Sequence, residues 1–130
     1  ILYLQGKDKF MIDLAINVRQ EQDWQVITLK GELDDYQSDR LNKTFNTLIQ
    51  DNGCSQIILD LNEVTFIDSV GIGTIAIAGK KLNELISGNL NLVCSQSKIS
   101  KMIELSGIIN ATKETIQLFE SIDSAKLITS

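Results

Sequence analysis

The residues of this 130-residue chain best suited to chemistry fall in one stretch, Leu59 to Gly73, which reads LDLNEVTFIDSVGIG. Ser69 follows Asp68 and precedes Gly71 and Gly73, on what the pattern predicts to be a turn from a central strand into a helix N-terminus. Functional sites of open α/β sheets lie at such turns. A serine hydroxyl there is a candidate nucleophile, yet the chain contains no histidine. A Ser-His-Asp triad, a histidine proton shuttle and a His-ligated zinc or iron site are therefore excluded within it. The string F-I-D-S-V-G also differs from the G-x-S-x-G of a nucleophile elbow, which places a small α/β hydrolase well behind other readings. The plainer role for Ser69 is a helix N-cap, its Oγ accepting from a backbone N–H two or three residues on. Gly71 and Gly73 suit close packing or a positive φ. They form no phosphate cradle, because G-x-x-x-x-G-K-[ST] and G-x-G-x-x-G are both absent.

Asp60 lies near the end of the same predicted strand, where the acyl-phosphate aspartate of a receiver-like domain could sit. The acidic pair after the first strand and the late lysine of such domains are not evident. Cys54 and Cys94 are too few for a four-cysteine zinc site or an iron-sulfur cluster and are not in C-x-x-C spacing. They read as two reduced core thiols of a cytoplasmic protein, and neither metal nor cofactor is expected. The net charge of −5, with no Lys/Arg cluster longer than Lys80-Lys81, disfavours nucleic acid and anionic membranes as partners. No apolar run reaches the roughly 18 residues of a spanning helix, so neither a membrane span nor a secretory signal is expected.

The elements that must position Ser69 follow from the hydrophobic periods. Hydrophobic residues make up 43% and charged residues 22%, a globular composition of one-domain length. Residues 1–10 read as an expression-tag remnant: ILYLQG resembles the protease-recognition sequence ENLYFQG at Leu2, Tyr3, Gln5 and Gly6, departing at Ile1 and Leu4. Met11 is then the expected start of a single domain, 11–130.

Ile12, Leu14, Ile16 and Val18 alternate as in a half-buried strand, and Gln25 to Lys30 repeats the alternation until Gly31 ends it. Leu41, Phe45, Leu48 and Ile49 mark a helix starting near Tyr36 to Ser38 and stopping at Asn52-Gly53. Gln56 to Leu61 suits a central strand covered on both faces, continued by Val64, Phe66 and Ile67 towards the turn. A helix from Val70 to about Ile86 follows, with Ile75, Leu82, Leu85 and Ile86 on its buried face. Next come a strand from Asn89 to Cys94 and a helix capped by Ser97 and ended by Gly107. A strand from Thr115 to Phe119 and a helix from Ser121 to Leu127 complete the chain. The order β-β-α-β-α-β-α-β-α predicts an α/β fold with a mixed central sheet of about five strands and about four helices, largely parallel after the first hairpin.

The chain resembles the anti-sigma factor antagonists built on the STAS domain, over almost all of residues 11 to 130. The resemblance rests on Gly31-Glu32-Leu33-Asp34, Leu59-Asp60-Leu61, Phe66-Ile67-Asp68-Ser69-x-Gly71-Ile72-Gly73 and Leu105-Ser106-Gly107-Ile108, in that order. It implies a STAS-like domain that is not an enzyme, with Ser69 as the serine phosphorylated by a partner. Val70 stands where the family often has a second Ser or Thr. The resemblance further implies that unphosphorylated Ser69 and its rim (Asp34, Asp68, Val70, Gly71, Ile72 and Gly73) dock on an anti-sigma factor with serine kinase activity, freeing a sigma factor. Phosphorylation would break that complex and a PP2C-type serine phosphatase would restore it. Asp34 and Asp68 would add like-charge repulsion to the phosphate, and both are otherwise ordinary turn-forming or capping residues. A STAS module that binds a ligand or protein without ever being phosphorylated stays open, as does the receiver-like reading on Asp60. Oligomeric state is left undetermined.

Overall fold

The computed structural model describes residues 14–112 and 115–127. The tag-like segment 1–10 and the expected strand start at Ile12 lie outside them. Strand β1 (Ala15–Glu21) turns at Gln22, whose φ is +57°, into β2 (Trp24–Leu33). Helix α1 (Ser38–Asn46) widens into a π-type turn over Thr47–Asp51 and leads to β3 (Gln56–Ile67). There follow α2 (Ser69–Ile86), β4 (Asn89–Val93), α3 (Ser97–Ser106), the short α4 (Ile108–Ala111), β5 (Ile116–Phe119) and α5 (Ile122–Lys126).

The five strands lie side by side in chain order, β1 antiparallel to β2 and every later pair parallel. Parallel neighbours need crossover connections, and α1, α2 and α3 supply them. Their apolar stripes (Leu41 and Phe45, Ile75 and Leu82, Ile99 and Ile103) pack with Ile27, Leu29, Ile57, Leu59, Leu90 and Leu92 in one core. Alternate strand residues Trp24, Val26, Ile58 and Val93 face the other way and are covered by Ala125 of α5. This is the expected α/β architecture with its mixed five-stranded sheet.

Several local expectations are corrected. Gly31 does not end β2. It adopts φ +114° inside the strand, which runs on to Leu33. Between Thr28 and Lys30, and again between Gly31 and Glu32, β3 carries one residue more than its partner. These bulges reset the side-chain alternation, so Leu61, Val64 and Ile67 all face the core while Glu63 and Thr65 stay exposed. Val18 is 40% exposed because β1 is an edge strand that the helices only partly cover. Leu85 is 58% exposed. At 100° per residue it lies about 80° off the line through Ile75, Leu82 and Ile86. Ser97 is the first residue of α3 and does not cap it. An additional helix, α4, follows Gly107, whose φ of +79° ends α3.

Candidate functional site

Because β2 and β3 are parallel neighbours with Leu33 opposite Ile67, the loops that leave them lie side by side at the sheet's C-terminal edge. Asp68 is extended (φ −111°, ψ −177°) and caps α2, its Oδ1 accepting from Gly71 N at 2.8 Å. Its Oδ2 accepts from the Asp35 amide at 3.1 Å, and its own amide donates to Leu33 O at 3.3 Å. The capping role that the sequence offered to Ser69 therefore belongs to Asp68. Ser69 is the first residue of the helix and is exposed.

The rest of the expected rim falls into two groups. Val70 is 48% exposed beside Ser69, and Gly73 is half-buried with nothing within 4 Å of where a Cβ would sit. Gly71, by contrast, is buried, and a Cβ there would lie 2.6 Å from Leu33 O. This close approach lets α2 start directly over the end of β2. Ile72 is half-buried against the helix-side core. Asp34 opens the facing loop: its Oδ1 accepts from Gln37 N at 3.1 Å and its carbonyl accepts from Ser38 N and Ser38 Oγ at 2.9 and 2.7 Å. These are the bonds of an Asx turn that leads into α1.

Further exposed residues flank this rim. Tyr36 is 77% exposed at the tip of the β2–α1 loop, Phe66 is 46% exposed at the end of β3, and Asp35 is exposed between Asp34 and Tyr36. Tyr36 and Asp35 carry no sequence signal of their own, and only the parallel pairing of β2 with β3 brings their loop beside the start of α2.

Asp60 is not near the end of its strand. β3 continues seven residues beyond it, and its Oδ1 accepts from Asn62 N at 3.0 Å. Cys94 is buried and its Sγ donates to Gln96 O at 3.6 Å. Burial pushes its thiol pKa up, and Cys54 is also unpaired. Among the described residues no group of three or more His, Cys, Asp or Glu could hold a metal ion, and no helix is long and apolar enough to cross a membrane.

The geometry can thus present a hydroxyl at a helix N-terminus, between the Asp68 carboxylate and the exposed Val70 side chain and beside the loop that carries Asp34, Asp35 and Tyr36. A phosphate added there would meet the helix's positive end. The chain is similar to the anti-sigma F factor antagonist of Paenibacillus polymyxa, with 29% identity over 98 residues, 75% of this chain and 82% of that protein. The anti-sigma factor antagonist SpoIIAA in its unphosphorylated form shares 19% identity, with a TM-score of 0.66 over 87% of this chain and 94% of that one. The Bacillus cell fate determinant SpoIIAA in the phosphorylated form shares 21%, with a TM-score of 0.65 over 87% and 98%. The sheet order, the helix that starts beside Leu33 and a match to the STAS domain model over residues 15–125 agree, and the chain belongs to the STAS domain family.

Proposed function

We propose that this protein is an anti-sigma factor antagonist whose binding is switched by phosphorylation of Ser69. The observation that carries the reading is the division of labour at the start of α2: Asp68 caps the helix, and Ser69 is left exposed as its first residue. A kinase can reach that hydroxyl without opening the fold. The similarity to antagonists, including one solved in phosphorylated and unphosphorylated forms, supports the reading.

In the unphosphorylated form, Ser69, Val70 and Tyr36 offer a small mixed surface to an anti-sigma factor that is also a serine kinase. Docking there displaces the sigma factor. Transfer of a phosphoryl group to Ser69 Oγ adds about −1.5 to −2 charges and strong acceptor oxygens. The helix N-terminus tolerates the anion within the free chain. A partner that must desolvate it beside Asp34, Asp35 and Asp68 is penalised, and each 1.4 kcal/mol lost weakens binding about tenfold. A PP2C-type serine phosphatase resets the switch in the cytoplasm. The chain is the substrate and ligand of these enzymes and performs no catalysis of its own.

The test is intact mass with site mapping on protein from its own cells, before and after a serine phosphatase. One phosphate on Ser69, removed by the phosphatase, is expected. A phosphate that hydroxylamine removes would point to Asp60, and no phosphate under any growth condition would leave an unswitched binding module.

A further inference from the structure

The groove between α1 and α2 begins at Val70 and leads away from Ser69, and it has a chemistry distinct from the helix start. It is an open groove of about 380 Å³, with Asp35, Asp39 and Asn42 on one side and Val70, Ile77 and Lys81 on the other. Val70 and Ile77 are seven residues apart, so they lie in line on α2, about 10 Å apart along its axis. They are 48% and 51% exposed, which makes an apolar stripe that the described residues leave uncovered. Between them Thr74 turns its hydroxyl back to Val70 O at 3.0 Å.

The facing wall is acidic. Asp39 is 70% exposed and among the described residues pairs with Lys43, one helical turn along α1, at 3.2 Å. Lys81, which also lines the groove, donates to Asn46 Oδ1 at 2.7 Å and so ties the two helices together. The trough thus has Val70 and Ile77 along the α2 wall as far as Lys81, and the Asp35 and Asp39 carboxylates along the α1 wall. Its complement is a helix with apolar residues spaced to meet Val70 and Ile77 and with Lys or Arg along the adjacent edge.

We propose that this groove takes an amphipathic, basic helix of the anti-sigma partner and selects which partner docks, while Ser69 decides whether docking occurs. The proposal rests on the anti-sigma antagonist reading. It assigns partner choice to Asp39 and Ile77, which lie outside the Ser69 motif.

The experiment titrates purified candidate anti-sigma serine kinases of the same organism with wild type, Asp39→Lys, Ile77→Asp and Ser69→Asp. Melting curves of each variant verify the fold, since both groove side chains are exposed. The groove variants are expected to weaken binding to the tightest kinase about tenfold or more and to narrow its margin over the others. The Asp39→Lys effect should shrink at high salt. Wild-type affinity in both groove variants, with Ser69→Asp binding lost, would overturn the groove assignment and leave the switch standing. Weakened groove variants with unimpaired Ser69→Asp binding would support the groove and sink the switch. No binding by any candidate kinase would overturn both.

Discussion

The Asp68 carboxylate accepts the Asp35 backbone amide at 3.1 Å from one oxygen and the Gly71 amide at 2.8 Å from the other. One side chain thereby joins the loop after β2 to the first turn of α2 and fixes the two halves of the Ser69 rim relative to each other.

Replacing Asp68 with Ala should cost about 1 kcal/mol, as loss of an N-cap does. It should also speed hydrogen exchange at the amides of Asp35 and Gly71. Asp68→Asn keeps one acceptor oxygen and should show the milder effect. Urea denaturation with amide exchange reads both, and unchanged protection at the Asp35 amide would mean that the bridge between the loops is not formed.

The two glycines of the motif should behave oppositely. A Cβ at Gly71 meets Leu33 O at 2.6 Å and Leu33 Cγ at 2.9 Å, whereas a Cβ at Gly73 meets nothing within 4 Å. Gly71→Ala must push α2 off the end of β2 and should destabilise by about 1 to 3 kcal/mol, in the range of overpacking. Gly73→Ala should stabilise the free chain by up to about 1 kcal/mol, since Ala is the better helix former. A larger residue at position 73 should then interfere with docking alone. Paired melting and partner titrations distinguish a packing glycine from a contact glycine.

Much of this arrangement was legible in the sequence, and what was not has physical causes. Periods of two and 3.6 locate β2, β3, α1 and α2, because burial on one face imposes them directly. Gly31 misled, since a glycine inside a strand has the same signature whether it ends the strand or serves a bulge. The spacing of Leu61, Val64 and Ile67 conceals two bulges that only pairing with β2 makes visible. Which of Asp68 and Ser69 caps the helix is ambiguous in the sequence, because either side chain can accept from the first turn. The groove lined by Asp39 and Ile77 carries no motif at all, as it arises from two helices that meet only in the folded chain.

The acid side of the stability profile should depend on Glu21. Arg19 first, and Lys126 second, hydrogen-bond its carboxylate and hold its pKa below the ordinary value. A carboxyl depressed in the folded state adds stability above its unfolded pKa and loses it as pH falls through the folded one. Wild type should therefore lose stability relative to Glu21→Gln on acidification below the ordinary carboxylate range. The pair is partly exposed, so salt should shrink the difference. Lys126 belongs to α5, which covers Trp24, the only tryptophan. Trp24 fluorescence across a pH series reads the effect, and parallel pH curves for the two proteins would show that the Glu21 cluster contributes nothing.

Binding and stability should separate at Ser69. Its position as the first residue of α2 means that a negative charge there faces the helix's positive end, an interaction of about 0.3 to 1 kcal/mol. Ser69→Asp should therefore melt at the same temperature as wild type or slightly above it, while its affinity for the anti-sigma kinase falls. Ser69→Ala loses no cap, because Asp68 supplies it, so it should keep both fold and binding and resist the phosphorylation that ends the complex. A drop in melting temperature for Ser69→Asp would mean that the charge acts by loosening the helix start. In that case loss of binding would report a damaged site, and a switch that works by charge at an intact surface would be ruled out.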